Sequence, residues 1–378
     1  MSWWREGIAT EWNKANTYSS FNSFKGLTYF DNYKKIMAWM RRETDYLPPP
    51  VEVNLDPFAE CNNRCYFCVG QRYLRANRVE VGEMRSLPLD YMMRLVDFLA
   101  GWGVRGLCIS GGGEPSLHPE IDQVIVRARA RGMDVAFVTN MVRQDEWLAE
   151  ALLACRWVAM SVNAPDATVY KRVMGTDHFH EVIDNIEHLA KLRQERHSKV
   201  DLCFKYLLLP ENVHGIFDAC NLAKSLGVQD FHVRPVDFER EDIKGHKALR
   251  FDKALIEEQF EKCHEIETPE FRVFSVTHKF DSEFHVKHDF DRCLATPLVL
   301  PILTDGAAYI CVDKKMESDF KLGDAFPNPE QILDWWGSEE HRSKIESVDV
   351  NRCSRCTWSS YQKQIEAIEG DTMCLAFP

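Results

Sequence analysis

The feature that most constrains the fold is a rhythm. Short apolar, β-branched runs at 51–55, 106–110, 134–139, 158–162, 202–209 and 231–233 alternate with amphipathic segments at 89–99, 119–131, 145–154, 179–193 and 213–226. Runs of the first kind read as buried strands and those of the second as helices. Strand, helix, strand in succession implies right-handed crossovers and a parallel sheet. The repeat lacks self-similarity, so a solenoid is not expected.

The chain has 378 residues, 45% of them hydrophobic and 28% charged, enough for one large α/β domain with an appendage. A net charge of −12 gives no footprint for duplex nucleic acid, which is disfavoured as a partner. The first eight residues include Trp3, Trp4, Arg5 and Glu6 and do not read as a secretory signal. No apolar run approaches the roughly 18 residues of a membrane span. A soluble, cytoplasmic protein is expected. In that reducing setting the thirteen cysteines read as metal ligands or core residues rather than disulfides.

Their distribution separates the two uses. Cys108, Cys155, Cys203, Cys220 and Cys263 stand singly in apolar or helical stretches and read as small hydrophobes. Cys61, Cys65 and Cys68 form a tight triplet after the first strand, and Cys293, Cys311, Cys353, Cys356 and Cys374 crowd the last quarter. Ligands of parallel α/β folds sit at the C-terminal strand ends. There the sequence puts the triplet, the run Gly111-Gly112-Gly113-Glu114-Pro115, Thr139-Asn140, Ser161 with Asn163, and Arg234-Pro235. Three thiolates at this spacing can hold three corners of a four-iron cluster and leave one iron open. Zinc competes for the same spacing but would need a fourth nearby ligand, and none of Asn62, Asn63, Arg64, Tyr66 or Phe67 is suitable.

The triplet, with Phe67 before its last cysteine and the glycine run behind it, resembles the signature of the radical S-adenosylmethionine (SAM) superfamily. The resemblance implies a partial (β/α)6 TIM-like barrel within an α/β fold. It implies that the methionine end of SAM chelates the open iron, with Gly112, Gly113 and Glu114 receiving its amino group. Glycines let backbone approach a cofactor closely, and a carboxylate accepts hydrogen bonds from an ammonium. Ribose contacts are implied at Ser161 and Asn163, where relatives often carry aspartate in the second position. A backbone clasp on adenine is implied around Phe67 and Val233, and a carboxylate contact at Arg172.

Near the C-terminus, Asp305-Gly306 between apolar flanks is a hairpin signal. A hairpin there lets Cys293 and Cys311 approach one another, with Cys353 and Cys356 supplying a bite from a later loop; a zinc ribbon is the competing reading. The pattern resembles the twitch auxiliary-cluster domain, a shortened SPASM domain, which implies a second 4Fe-4S cluster and leaves Cys374 over. The expected organisation is an N-terminal helical extension at 1–50, ending at Pro48-Pro49-Pro50 and either capping the barrel or touching substrate, then the barrel at 51–270 and a small α+β auxiliary domain at 271–378.

The resemblance implies reductive cleavage of SAM to a 5'-deoxyadenosyl radical, hydrogen abstraction from an unactivated carbon, and a flavodoxin or ferredoxin as reductant. Oxidation of a small molecule or peptide, with the second cluster as electron acceptor, is the first expectation. Peptide or nucleotide modification by epimerisation, crosslinking or rearrangement is the alternative, and a non-catalytic zinc-binding interaction protein is the reading from another class. No general base emerges; Lys205, Tyr206, His232 and Arg234 lie where the fifth and sixth strands could face a cavity.

Overall fold

The structure is a computed structural model that describes residues 28–68, 70, 85–236, 252–275, 288, 290–353 and 356–370. Its strands are β1 Glu52–Leu55, β2 Gly106–Ile109, β3 Asp134–Thr139, β4 Trp157–Ser161, β5 Asp201–Leu208, β6 Asp230–Pro235, β7 Arg272–Ser275, β8 Val299–Ile302, β9 Ala307–Tyr309 and β10 Lys321–Asp324. The helices among them are α1 Phe30–Met40, α2 Leu89–Trp102, α3 Ile121–Ala130, α4 Glu146–Leu152, α5 Ala167–Met174, α6 Phe179–Glu195, α7 Ile216–Ser225, α8 Lys253–Glu265, α9 Ile332–Trp335, α10 Glu339–Glu346 and α11 Ser359–Gly370.

One open sheet runs in the order β10-β9-β8-β1-β2-β3-β4-β5-β6-β7. The parallel α/β sheet expected from the strand-helix rhythm, and the partial barrel that the resemblance implied, are present as its centre, since β1 to β6 pair in sequence order and in parallel. Two additions to the parallel part of the sheet escaped the sequence reading. The four-residue β7 continues the parallel sheet beyond β6, and β8 returns from the C-terminal part to pair in parallel with β1. The hairpin signal is realised: β8 and β9 are antiparallel, and Gly306 adopts φ +79° in the turn. A Cβ there would lie 2.2 Å from Cβ of Phe326, so close approach adds to the backbone requirement.

Strand pleating divides the sheet chemically. On β5, Leu202, Phe204, Tyr206 and Leu208 are fully buried on one face with Phe231 and Val233 of β6, which belong to the main core. The opposite face carries Asn54 of β1, Asp56 just beyond it, Ser161, Lys205 and His232. The last three stand side by side, because Ser161 is in register with Lys205 and Lys205 with His232. A polar stripe of this kind inside an otherwise apolar sheet is what a ligand cavity requires.

The N-terminal helix α1 lies away from the motif-bearing strand ends. Trp39 donates from Nε1 to the Gly337 carbonyl (3.0 Å), and Trp336 from Nε1 to that of Pro48 (3.0 Å). His341 fits between these indoles at 5.2 and 4.8 Å between ring centroids. Tyr29, just before α1, feels the charges of Glu52, Arg105 and Asp134, which stand at the N-terminal ends of β1, β2 and β3. The described part of the extension therefore lies at the N-terminal strand ends, opposite the motif-bearing rim, while residues 1–27 lie outside the described set.

Burial, followed by the neighbouring Arg342 charge, lowers the His341 pKa to about 3. Its ionisable proton is bound by the unfolded chain below about pH 6.5 but refused by the native one until about pH 3, so stability drains away as pH falls between those values. Between pH 7 and pH 4 this one residue should cost about 3 kcal/mol at 1.36 kcal/mol per unit. Urea unfolding of wild type and H341Q at both pH values checks it: the wild-type advantage should shrink by that amount at pH 4, and equal shrinkage in both proteins would refute the assignment.

Candidate active site

The parallel strands deliver the motifs to one rim. The cysteine loop follows β1, the glycine run follows β2, Thr139 and Asn140 close β3, and Ser161 closes β4. Asn140 joins the first three. Its Nδ2 donates to Asn62 Oδ1 (2.6 Å) and lies 3.8 Å from Cys61 Sγ, while its backbone N–H donates to Glu114 (2.7 Å). Backbone amides also meet the sulfurs, Asn63 on Cys61 (3.4 Å) and Gly70 on Cys68 (3.2 Å). Donors aimed at sulfur stabilise thiolates.

Helix α5 supports the loop from behind. The Met174 carbonyl accepts from the Arg64 N–H (2.9 Å), and Cys65 Sγ approaches Met174 Sδ at 3.7 Å. Asn63 donates to the Tyr170 hydroxyl (3.2 Å) and accepts from Thr176 (2.6 Å). Gly175, at φ +73°, ends the helix where a Cβ would meet the Arg64 carbonyl oxygen at 2.9 Å. Arg172 is on the solvent side of this helix.

Burial pushes the Cys61 thiol up to about 12, with Glu114 and Cys68 adding repulsion. Burial also holds Cys65 well above its ordinary range, assisted by Cys68 and Cys61. The three sulfurs thus bear on one another electrostatically. Among the described residues no three Cys, His, Asp or Glu side chains converge on the single point that one ion would occupy. A four-iron cluster takes each thiolate on a separate iron, around a cube instead of a point, and the donor chemistry of the triplet fits that group.

The glycine loop is pressed against the cysteine loop. A Cβ on Gly113 would lie 2.4 Å from the Phe58 carbonyl oxygen and 2.5 Å from that of Glu60. Glu114 is 4% exposed, and its carboxylate accepts from Thr139 Oγ1 (2.7 Å), Ser116 N (3.0 Å) and Asn140 N. Burial raises its pKa, opposed by these hydrogen bonds. Since a carboxylate offers about four acceptor positions, one remains for a ligand ammonium.

Asn163 sits at φ +59° with its Oδ1 accepting from Leu207 N (2.8 Å) and its Nδ2 directed at Met174 Sδ (3.4 Å). Its amide is thus engaged in joining β5 to the cysteine-loop support, and Ser161 is the half-buried member of the pair. Phe67 is buried edge-on to Tyr66, and Val233 is fully buried in the sheet core, leaving only its backbone to a ligand. Tyr206 is turned away from the polar face and donates from its hydroxyl to the Asn212 carbonyl (2.7 Å). Lys205 and His232 stay on the polar face, and Arg234 lies one pleat above His232, opposite Leu207.

In the C-terminal set, Cys311 is held well above the usual thiol range by burial, then by Asp313 and Cys293, with a smaller effect of Cys356. Burial and Cys353 push Cys293 up to about 12. The four cysteines are therefore linked pairwise in space across three chain segments. Two supports carry no sequence signal. Gln362 of α11 accepts from Leu294 N and Ala295 N (2.8 Å) and directs Nε2 at Cys293 Sγ (3.6 Å). Asp313 accepts from Thr357 N (2.7 Å) and Oγ1 (2.9 Å), tying the Cys311 and Cys356 loops together. Cys374 lies outside the described residues.

Residues 56–223 match the family model described as Radical SAM superfamily. The chain carries a radical SAM domain. That family implies SAM and a 4Fe-4S cluster as cofactors. The chain is 31% identical over 147 residues to a probable GTP 3',8-cyclase of Thermococcus kodakarensis, covering 38% of this chain and 45% of that protein. It is 27% identical over 206 residues to a dTDP-4-amino-4,6-dideoxy-D-glucose ammonia-lyase of Streptomyces venezuelae, covering 52% and 41%. The chain spans about half the length of the curated relatives it matches.

Among solved structures, SuiB of Streptococcus suis bound to SAM superposes with TM-score 0.62 at 17% identity over 84% of this chain and 72% of that one. The enzyme anSMEcpe, with bound SAM and a peptide, gives 0.54 at 14% identity over 83% and 88%. At such identities the likeness is one of fold. No described helix is long and apolar enough to cross a membrane.

If Glu114 organises the glycine and β3 loops as its three donors indicate, E114Q should destabilise the cofactor-free protein by about 2–3 kcal/mol, because an amide nitrogen then faces N–H and O–H donors. Urea unfolding measures this, and an unchanged midpoint would remove the carboxylate from that role.

Proposed function

We propose that the protein is a radical SAM enzyme that abstracts hydrogen from an unactivated C–H bond and oxidises its substrate, passing an electron to a second 4Fe-4S cluster. The observation that carries the reading is the gathering of Cys61, Cys65, Cys68 and the Gly111–Gly113 run at one strand-end rim, linked through Asn140. When bound, the cluster and SAM supply reductive cleavage of the sulfonium to a 5'-deoxyadenosyl radical.

The chain's own residues have four tasks. The triplet thiolates hold three irons and leave the fourth for the SAM methionine end. Gly112, Gly113 and the remaining acceptor position of Glu114 receive its amino group, with Ser161 toward the ribose and the backbone at Phe67 and Val233 toward adenine. Cys293, Cys311, Cys353 and Cys356 close the second cluster, in a twitch-type segment spanning 271–378. Lys205 and His232 on the polar face are the candidates to bind substrate or move its proton; Tyr206 is withdrawn from that group by its bond to Asn212. A cytoplasmic flavodoxin or ferredoxin would supply electrons.

A second reading, radical modification of a nucleotide, nucleotide sugar or peptide by epimerisation, crosslinking or rearrangement, draws support from the names of the relatives, a GTP cyclase and a dTDP-sugar ammonia-lyase, and from the SuiB structure with its precursor peptide. Incubation of reduced protein with deuterated candidates of each class separates the readings. Label should pass into 5'-deoxyadenosine, and a product in which an alcohol carbon has become a carbonyl marks the first reading, an isomer, an elimination product or a crosslinked product the second.

Anaerobically prepared protein should contain about eight irons and absorb broadly near 400 nm. About two zincs and no colour would end both enzymatic readings in favour of a zinc-binding interaction protein.

A further inference from the structure

Neither cysteine set contains the most heavily engaged cation near the glycine loop. Lys315 lies four residues after Cys311, and its Nζ donates to Asp56 Oδ1 (2.7 Å), Asp56 Oδ2 (2.9 Å) and Asn54 Oδ1 (2.8 Å). All three ammonium hydrogens are thereby used. The Asp56 side chain is 1% exposed and that of Lys315 19%. Burying a carboxylate to this degree is costly unless it is paired and hydrogen-bonded, and the ammonium supplies that pairing.

Asp56 in turn engages the glycine loop. Its Oδ2 accepts the backbone N–H of Gly112 (3.0 Å), and Oδ1 lies 3.4 Å from Ser110 Oγ, itself bonded to Asn54 Oδ1 (3.1 Å). The other side of the loop is fixed by the Glu114 N–H on the Glu60 carbonyl (2.7 Å) and by the Gly113 packing. Gly112 is thus held between the cysteine loop and a carboxylate whose counter-charge arrives from the C-terminal segment. Met316, next to the lysine, adopts φ +72°, an uncommon conformation for a long side chain. Such strain persists where surrounding contacts over-determine it, and here the lysine's three bonds act together with the packing of Met316 on the cluster of Ala59, Leu303, Ala307 and Tyr309.

We propose that Lys315 is a positioning residue for SAM binding: by pairing with Asp56 and holding it in place, it fixes the Gly112 backbone in the shape that receives the methionine end of the cofactor. The inference rests on the radical SAM reading. It makes the loop after Cys311 part of the cofactor pocket's support as well as part of the second cysteine set.

The test is SAM titration of iron-loaded protein, followed by the change in the electron paramagnetic resonance signal of the reduced triplet cluster. In K315M, iron content should be unchanged while SAM affinity falls about tenfold or more, in line with losses at groups that orient direct ligands. K315M/D56N, which removes both charges but keeps an acceptor for Gly112, should return to within about threefold of wild type, a recovery that general loss of packing would not give. Should K315M fold too poorly to titrate, the double variant carries the test alone, and a loss there of tenfold or more overturns the proposal. Wild-type affinity in K315M also overturns it. Absence of any SAM-dependent signal in wild type would instead strike the radical SAM reading itself.

Discussion

The two-sided pairing of β1 is the constraint on which the rest depends. On one side β1 meets β2 and thus the whole parallel run to β7; on the other it meets β8, the first strand of the C-terminal hairpin. Its backbone continues the tie past the strand, since the Asp56 N–H donates to the Ile302 carbonyl (2.9 Å). A strand of four residues thereby fixes the cysteine loop that follows it, the glycine loop after its neighbour, and the entry to the segment bearing Cys311. Had the C-terminal segment docked through side chains alone, its orientation to the rim would depend on surface contacts, which are individually weak.

The polar face of the sheet is the second consequence of that arrangement. In parallel sheets covered on both sides, strands are expected to be apolar throughout. Here β1 ends in Asn54 and Leu55 and is followed directly by Asp56, so one face of its upper half must be satisfied by something other than hydrocarbon. Lys315 supplies part of the answer. Cys108 shows the same environment: burial raises its thiol, but Glu52, Lys205 and Lys315 all act on it, so it stands on the polar face rather than in the apolar core. Cys203 likewise feels Asp230 and Lys205. The reading of these two cysteines as small hydrophobes holds for their burial and misses their neighbours.

Much of the fold was legible because it is local. The expected runs at 134–139 and 106–110 match β3 and β2 within a residue, and the Asp305-Gly306 turn was visible because a tight hairpin asks for φ > 0 at a named position. The short β7 was not legible, since Arg-Val-Phe-Ser carries no periodicity to distinguish it from a loop. Nor was the β8 pairing: an apolar run shows that a strand exists and says nothing about its partner some 250 positions away. The site divides in the same way. Spacing revealed the thiol sets, but the residues that support them, Asn140, Met174 and Tyr170 at the triplet and Gln362 at Cys293, act through contacts made only after folding. Asp56 did leave a trace, a carboxylate closing an apolar strand, yet its meaning depended on a lysine far along the chain.

The electrostatics of the two thiol sets give the cysteines a common logic. Burial disfavours the thiolate at Cys61, Cys65, Cys293 and Cys311, and neighbouring sulfurs disfavour it further. Without a bound cation these groups are therefore neutral and poor nucleophiles near neutral pH, which protects them from adventitious reaction. A metal cluster reverses the balance, because its positive irons compensate several thiolates at once and its assembly must release their protons. Crowding that is unfavourable for the free thiolates becomes favourable once cationic iron lies among them.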